Sequence, residues 1–122
     1  MLSIPGGQVK IFLGVQPVDM RKGFDTLAAL VSEVLRADPL SGHLFVFRSR
    51  RADRVKILYW LGDGFAIWYK RLEAGTFRFP QTSEGQVSLT VSATDLAMLL
   101  DGVDLASVKR RKRYQRPARV AS

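Results

Sequence analysis

Residues 55 to 72 read Val55-Lys56-Ile57-Leu58-Tyr59-Trp60-Leu61-Gly62-Asp63-Gly64-Phe65-Ala66-Ile67-Trp68-Tyr69-Lys70-Arg71-Leu72. Two runs rich in aromatic and β-branched residues flank a Gly-Asp-Gly centre. Asp-Gly between such runs is a strong hairpin signal, because a type I′ turn needs positive φ at both central positions. With Asp63 and Gly64 as the turn, the expected cross-strand partners are Trp60 with Ile67, Leu58 with Tyr69, Lys56 with Arg71, and Arg54 with Glu73. One face is then mixed, with aromatics near the turn and bases toward the open end. The other carries Val55, Ile57, Tyr59, Leu61, Ala66, Trp68, Lys70 and Leu72, and is the expected core face.

Outward from the hairpin the pattern continues as short elements. Leu44 to Phe47 after Gly42 reads as a strand, as do residues 8 to 15 before Pro17, Thr76 to Phe79 before Pro80, and Val87 to Thr90. Between Asp19 and Asp38-Pro39, the residues Phe24, Leu27, Ala28, Val31, Val34 and Leu35 recur on one face of a 3.6-residue period. They predict a helix with Asp19 as its N-cap. Ser92-Ala93-Thr94-Asp95 has the form of a capping box and opens a second helix through Leu96, Leu99, Leu100 and Val103, with Gly102 near its C-terminal end. The strands cluster centrally without regular strand-helix alternation. The expectation is one α+β domain over residues 1–106, a small antiparallel sheet with a central hairpin flanked by two helices.

The charge distribution is uneven along the chain. Of 19 Lys and Arg residues against 11 acids in 122 residues, seven bases fall after residue 106 with no acid among them, leaving the body close to neutral. Residues 107–122 form a basic tail with no recurring apolar positions, expected to be disordered until it meets a partner. Within the body, Arg48, Arg50, Arg51, Arg54 and Lys56 face only Asp53. A basic strip beside aromatic rings suits a nucleic-acid backbone, because cations displace condensed counterions and rings pack on sugars or splayed bases. The competing reading makes Tyr59, Trp60, Trp68 and Tyr69 core residues and the bases a solvated face.

Catalytic constellations are thin. The chain has no cysteine and a single histidine, His43, which removes thiolate chemistry, cysteine-based zinc sites and any multi-histidine metal site. His43, after Gly42 and before an apolar strand, reads as a strand-edge residue. The acids Asp19, Asp25, Asp63 and Asp95 each have a local role in a cap, a first helical turn or a tight turn. The glycine spacing matches neither a P-loop nor a dinucleotide fingerprint. No stretch approaches the roughly 20 apolar residues of a membrane span and no signal pattern opens the chain, so a cytoplasmic, nucleoid-associated protein is expected.

Four ordered blocks carry a resemblance: Val18-Asp19-Met20-Arg21-Lys22-Gly23-Phe24-Asp25; Asp38-Pro39-Leu40-Ser41-Gly42-His43-Leu44-Phe45-Val46-Phe47; Arg51-Ala52-Asp53-Arg54-Val55-Lys56-Ile57-Leu58-Tyr59-Trp60; and Gly64-Phe65 with Trp68-Tyr69-Lys70-Arg71-Leu72-Glu73. Over residues 9 to 103 the chain resembles the TnpB-type accessory protein of the insertion sequence sixty-six family of bacterial transposable elements. That resemblance implies a non-enzymatic aid to DNA transposition, encoded beside a larger DDE-type transposase that holds the strand-transfer site. No cofactor and no metal are expected. The chain departs from the family's usual pattern at Leu61, where an Asp commonly follows Tyr-Trp, and at Phe79-Pro80, where Trp-Pro is common.

The expected DNA contacts, at transposon ends or without sequence preference, are Arg48, Arg50, Arg51, Arg54, Lys56, Lys70 and Arg71, with Lys109, Arg110, Arg111, Lys112 and Arg113 of the tail. Arg21, Lys22, Trp60 and Tyr69 are expected to meet phosphate or the transposase. Cations in a first helical turn are unfavourable for the helix dipole by a few tenths of a kcal/mol, so Arg21 and Lys22 want another reason to be there. The alternative reading is an adaptor that docks on the transposase without touching DNA.

Overall fold

The computed structural model describes residues 9–104 and 109–110. Its frame is a five-stranded sheet in the order β4-β3-β2-β1-β5. These strands are β1 (Ile11–Gly14), β2 (Leu44–Arg48), β3 (Arg54–Trp60), β4 (Phe65–Arg71) and β5 (Ser88–Val91). Helix α1 (Phe24–Glu33) lies between β1 and β2 in the chain, and α2 (Ala93–Asp101) follows β5. A two-residue pair, β6 (Val103–Asp104) and β7 (Lys109–Arg110), closes the described chain. Among the described residues no helix is long and apolar enough to cross a membrane.

The α+β class stands, and the sheet is mixed rather than antiparallel. β1 and β2 run parallel, with Ile11 beside Leu44 and Leu13 beside Val46, while the β1–β5, β2–β3 and β3–β4 pairs are antiparallel. Parallel neighbours require a crossover connection, and the segment carrying α1 supplies it. The single strand-helix-strand unit is one crossover inside an otherwise antiparallel order, too little alternation to show as a pattern.

That crossover gives the sheet two cores. On one face α1 sends Leu27 and Val31 onto Phe45, Phe47 and Leu58. On the other, Leu96 and Leu99 of α2 and Phe77 pack on Ile11, Leu13, Leu44, Val46, Val55 and Ile57. β2 and β3 are therefore apolar at nearly every position, as strands covered on both faces must be. Burying side chains such as Phe45, Ile57 and Leu58 stabilises the fold by roughly 1.5–3 kcal/mol each. The mixed hairpin face is thus covered by α1 near the turn, and Leu58, Phe65 and Ile67 belong to the α1 core.

Several boundaries move. α1 starts at Phe24 with Gly23 as an N-cap that makes no side-chain bond, so Asp19 is not its cap. Asp19 instead accepts the backbone N–H of Arg21 at 2.9 Å in a turn ahead of the helix. Phe24 and Val34, placed on the apolar face by periodicity, are 50% and 41% exposed at the two ends of α1. Thr76 to Phe79 forms no strand ladder. Phe77 is anchored there by its buried ring and by its N–H, which donates to the Ala52 carbonyl at 2.7 Å. α2 opens as the capping motif predicts, with the Ser92 hydroxyl accepting the Asp95 N–H at 3.0 Å, and it ends at Gly102 in the left-handed region. Of the basic tail expected to be disordered, Lys109–Arg110 pair through their backbone with Val103–Asp104, and the rest lies outside the described residues. Arg111, Lys112 and Arg113 lie outside the described residues, as does the stretch before Val9.

The hairpin register also differs from expectation. Trp60 pairs with Phe65, Leu58 with Ile67, Lys56 with Tyr69 and Arg54 with Arg71. The Leu61 N–H donates to the Gly64 carbonyl at 2.9 Å, which makes Gly62 and Asp63 the central turn residues. Gly62 has φ +94 while Asp63 is not among the positive-φ residues, the sign pattern of a type II′ turn with glycine first. The shift is by two residues, so both faces keep their side chains while every cross-strand partner changes.

A Cβ at Gly62 or at Gly64 would meet no atom within 4 Å, so only backbone strain separates the two positions. Gly62→Ala is expected to lower unfolding free energy by about 1–2 kcal/mol, and Gly64→Ala to change it by less than about 0.5 kcal/mol, both read from urea midpoints. The reverse ranking would place the turn one residue later.

Candidate nucleic-acid interface

The connection from β2 to β3 is a tight turn that holds itself together. The Ser49 N–H donates to the Arg54 carbonyl, and the Ala52 N–H to the Ser49 carbonyl. The Ser49 hydroxyl donates to Asp53 at 3.0 Å and accepts the Arg54 N–H at 3.1 Å. Ala52 takes φ 57, a left-handed conformation that costs an alanine roughly 1 kcal/mol. The product is a fixed knuckle that carries Arg50 and Arg51 at its tip, both exposed and neither in an ion pair among the described residues.

Beside this knuckle lies a shallow depression of about 560 Å³ lined by Val18, Asp19, Met20 and Arg21 from the loop before α1, Ser49 to Arg51 and Asp53 from the turn, and Arg54 and Tyr69 from the hairpin. Four guanidinium groups meet two carboxylates there, an excess of two positive charges. Arg21 is extended into solvent, its Nη2 donating to Asp19 at 2.7 Å. The Arg21 side chain and backbone N–H hold the Asp19 carboxyl well below the usual carboxylate range, chiefly through the side-chain hydrogen bonds, and the pair raises Arg21 in turn. Tyr69 is 47% exposed, and its hydroxyl accepts from Arg54 Nη1 at 3.4 Å. Arg71 lies directly across from Arg54 and donates to Glu73 at 2.9 Å. Like charges directly opposite on neighbouring strands oppose pairing by a few tenths of a kcal/mol or more, and the Glu73 carboxylate offsets the Arg71 charge here.

The expected basic strip does not stay whole. Lys56 is buried at 8% exposure, its ammonium donating to the Lys22 carbonyl at 2.8 Å and lying 4.8 Å over the Tyr69 ring. Its charge is consumed in joining the loop before α1 to the hairpin. Alternation sends Arg48 and Lys70 to the α2 side. Arg48 Nη2 donates to the Val15 carbonyl at 3.1 Å and its guanidinium sits 5.8 Å over Phe79. With Arg78 it lines a separate cleft of about 530 Å³. Lys70 Nζ reaches the Leu100 carbonyl at 3.5 Å. Trp60 packs edge-on against Phe65 near the hairpin tip, away from the depression. Lys22 lends its carbonyl to Lys56. His43 accepts the Lys10 N–H at Nδ1 and meets the Phe12 ring edgewise, the strand-edge role expected of it.

Of the residues singled out in the sequence, Arg21, Arg50, Arg51, Arg54 and Tyr69 come together in one depression, with Arg71 alongside. The roles of Ser49 and Asp53 went unread, although a Ser and an Asp four residues apart flanking two arginines is the composition of a self-bonded turn. Among the described residues no group of three or more His, Cys, Asp or Glu side chains could hold a metal ion.

A family model described as IS66 Orf2 like protein matches residues 9–110. The chain is 42% identical over 117 residues to an uncharacterized protein, y4jC, of Sinorhizobium fredii (strain NBRC 101917 / NGR234), covering 96% of this chain and 97% of that one. A second protein of the same strain, the uncharacterized y4hO, is 39% identical over 102 residues, covering 83% of this chain and 87% of its own. No solved structure matches the chain.

The two classes of cation separate in a stability measurement. Lys56→Ala removes a buried stem and leaves a carbonyl without its partner, and should cost about 2 kcal/mol, whereas Arg50→Ala and Arg51→Ala should each change stability by less than about 0.5 kcal/mol. Equal effects in urea denaturation would show that Arg50 and Arg51 hold the fold.

Proposed function

The chain belongs to the IS66 Orf2-like family of insertion-sequence proteins, and from that premise we propose that it assists transposition by holding DNA on the surface formed by Arg21, Arg50, Arg51, Arg54 and Arg71. The observation that supports this reading most directly is the convergence of Arg50, Arg51 and Arg54 on one depression. Three guanidiniums on a turn stiffened by its own hydrogen bonds lose little backbone freedom when they meet phosphates. The bases Lys109 to Arg113 supply further phosphate contacts. Such contacts supply affinity and orientation, while base reading needs groups aimed into a groove. Selection of the element's ends therefore falls to the DDE-type transposase that this protein serves.

Strand transfer is assigned to that transposase as well. The acids nearest the basic surface are already engaged: Asp19 with Arg21, Asp53 with the Ser49 hydroxyl, and Glu73 with Arg71. A carboxylate held by a neighbouring arginine or hydroxyl is poorly placed to share a divalent cation with two others.

A salt series tests the reading. The logarithm of DNA affinity should fall linearly with the logarithm of salt concentration at a slope near −5 for about six phosphate contacts, and the Arg50→Ala, Arg51→Ala, Arg54→Ala triple variant should flatten it by about 3. No binding at low salt would leave the adaptor reading, in which the same guanidiniums meet acidic patches on the transposase. An unchanged slope in the variant would move DNA to another surface.

A further inference from the structure

We propose that the depression takes an unpaired nucleotide, with its base stacked on Tyr69 and its flanking phosphates held by Arg50, Arg51 and Arg54, so that the protein prefers single-stranded DNA to duplex. The proposal rests on the DNA-binding reading and narrows it.

Phosphate attraction accounts for the arginines and the Lys56 ammonium for one face of the Tyr69 ring, but neither accounts for the ring's exposure among them. Tyr69 sits on β4, an edge strand, at a position where alternation turns its side chain to the α1 face. Its neighbours on that face of the hairpin, Leu58, Phe65 and Ile67, are covered by α1, yet Tyr69 remains 47% exposed among guanidinium groups. A ring of that size, left half open in a basic depression, forgoes burial that would otherwise favour covering it.

The ring is also held in place. The Lys56 ammonium lies 4.8 Å from its centroid, and the tyrosine hydroxyl is tethered to Arg54 at 3.4 Å. Lys56 cannot swing away, because its ammonium is bonded to the Lys22 carbonyl at 2.8 Å and the residue is buried. One ring face thus carries a fixed cation, and the half-exposed ring lines the same depression as Arg50, Arg51 and Arg54. A cation on one face draws π-density toward itself and leaves the other face less negative, which favours an aromatic heterocycle stacking on it. A base can take that place only if its own face is free. In a duplex both faces of each base are stacked, whereas in a single strand or a frayed end they are accessible.

An acidic peptide would satisfy the arginines and has no flat ring for Tyr69. RNA shares the stacking chemistry, and the transposition reading on which the proposal rests favours the deoxy strand.

The test uses the full chain and fluorescence anisotropy with one labelled oligonucleotide, presented as a DNA single strand, as the same strand annealed to its complement, and as the RNA strand of the same sequence, all at one moderate salt concentration. The single DNA strand is expected to bind several-fold tighter than the duplex. Tyr69→Leu should weaken single-strand binding about 10-fold and leave duplex binding within about twofold, while Tyr69→Phe keeps the ring and should restore the preference. Equal affinity for strand and duplex, or an equal loss for both in Tyr69→Leu, overturns the stacking proposal and leaves phosphate binding intact. Tighter binding of the RNA strand overturns the choice of DNA. Failure to bind any of the three overturns this proposal together with the reading beneath it. Matching circular dichroism and thermal midpoints of the Tyr69 variants and the parent chain keep a folding defect from imitating the result.

Discussion

Everything in this molecule leans on β3 being buried from both sides. Val55 and Ile57 point to the α2 core and Leu58 to the α1 core, all with no exposed surface. A strand so placed cannot slip by one residue without driving its whole apolar set through the sheet. The same constraint governs Lys56, which shares the α1 face with Leu58 and has nowhere wet to go. Its ammonium is kept inside by the Lys22 carbonyl and the Tyr69 ring. An ammonium without such partners would cost several kcal/mol to bury.

That one buried cation links scaffold to surface. By binding the carbonyl that precedes Gly23, it ties the Asp19 to Lys22 loop to the open end of the hairpin. The loop, the Ser49 to Arg54 turn and Tyr69 then line one depression together. The surface arginines are placed by elements that are themselves fixed through hydrogen bonds. Arginine's planar fork needs such support, since a freely rotating guanidinium gives up much of its binding energy in becoming ordered.

Charge in this protein therefore divides into two kinds with different physics. Lys56, Arg48 and Lys70 donate to backbone carbonyls and hold segments together. Arg50 and Arg51 are exposed without an ion-pair partner among the described residues, and Arg21 and Arg71 are each paired with an acid two residues away that a phosphate could displace. The Arg54–Arg71 juxtaposition, unfavourable for the sheet by itself, is offset by the Glu73 carboxylate held on Arg71.

Most of the elements were legible in the chain. Alternation showed both hairpin strands and their two faces, the Ser92 cap and Gly102 marked the limits of α2, and the ordered blocks carried the family. The parallel β1–β2 pair was not legible, because a single crossover leaves no repeating pattern, nor was the turn, because Gly62-Asp63 and Asp63-Gly64 are both good turn dipeptides. The depression itself was half visible: Arg50, Arg51 and Arg54 sit together in the sequence, while Arg21 and Tyr69 join them only through folding. Which side chains share a face was legible from the chain alone, since it follows from the backbone period. Which of the cations face water and which are buried as struts was decided by the tertiary structure alone, because burial depends on what α1, α2 and the residue 76–80 segment lay over each face.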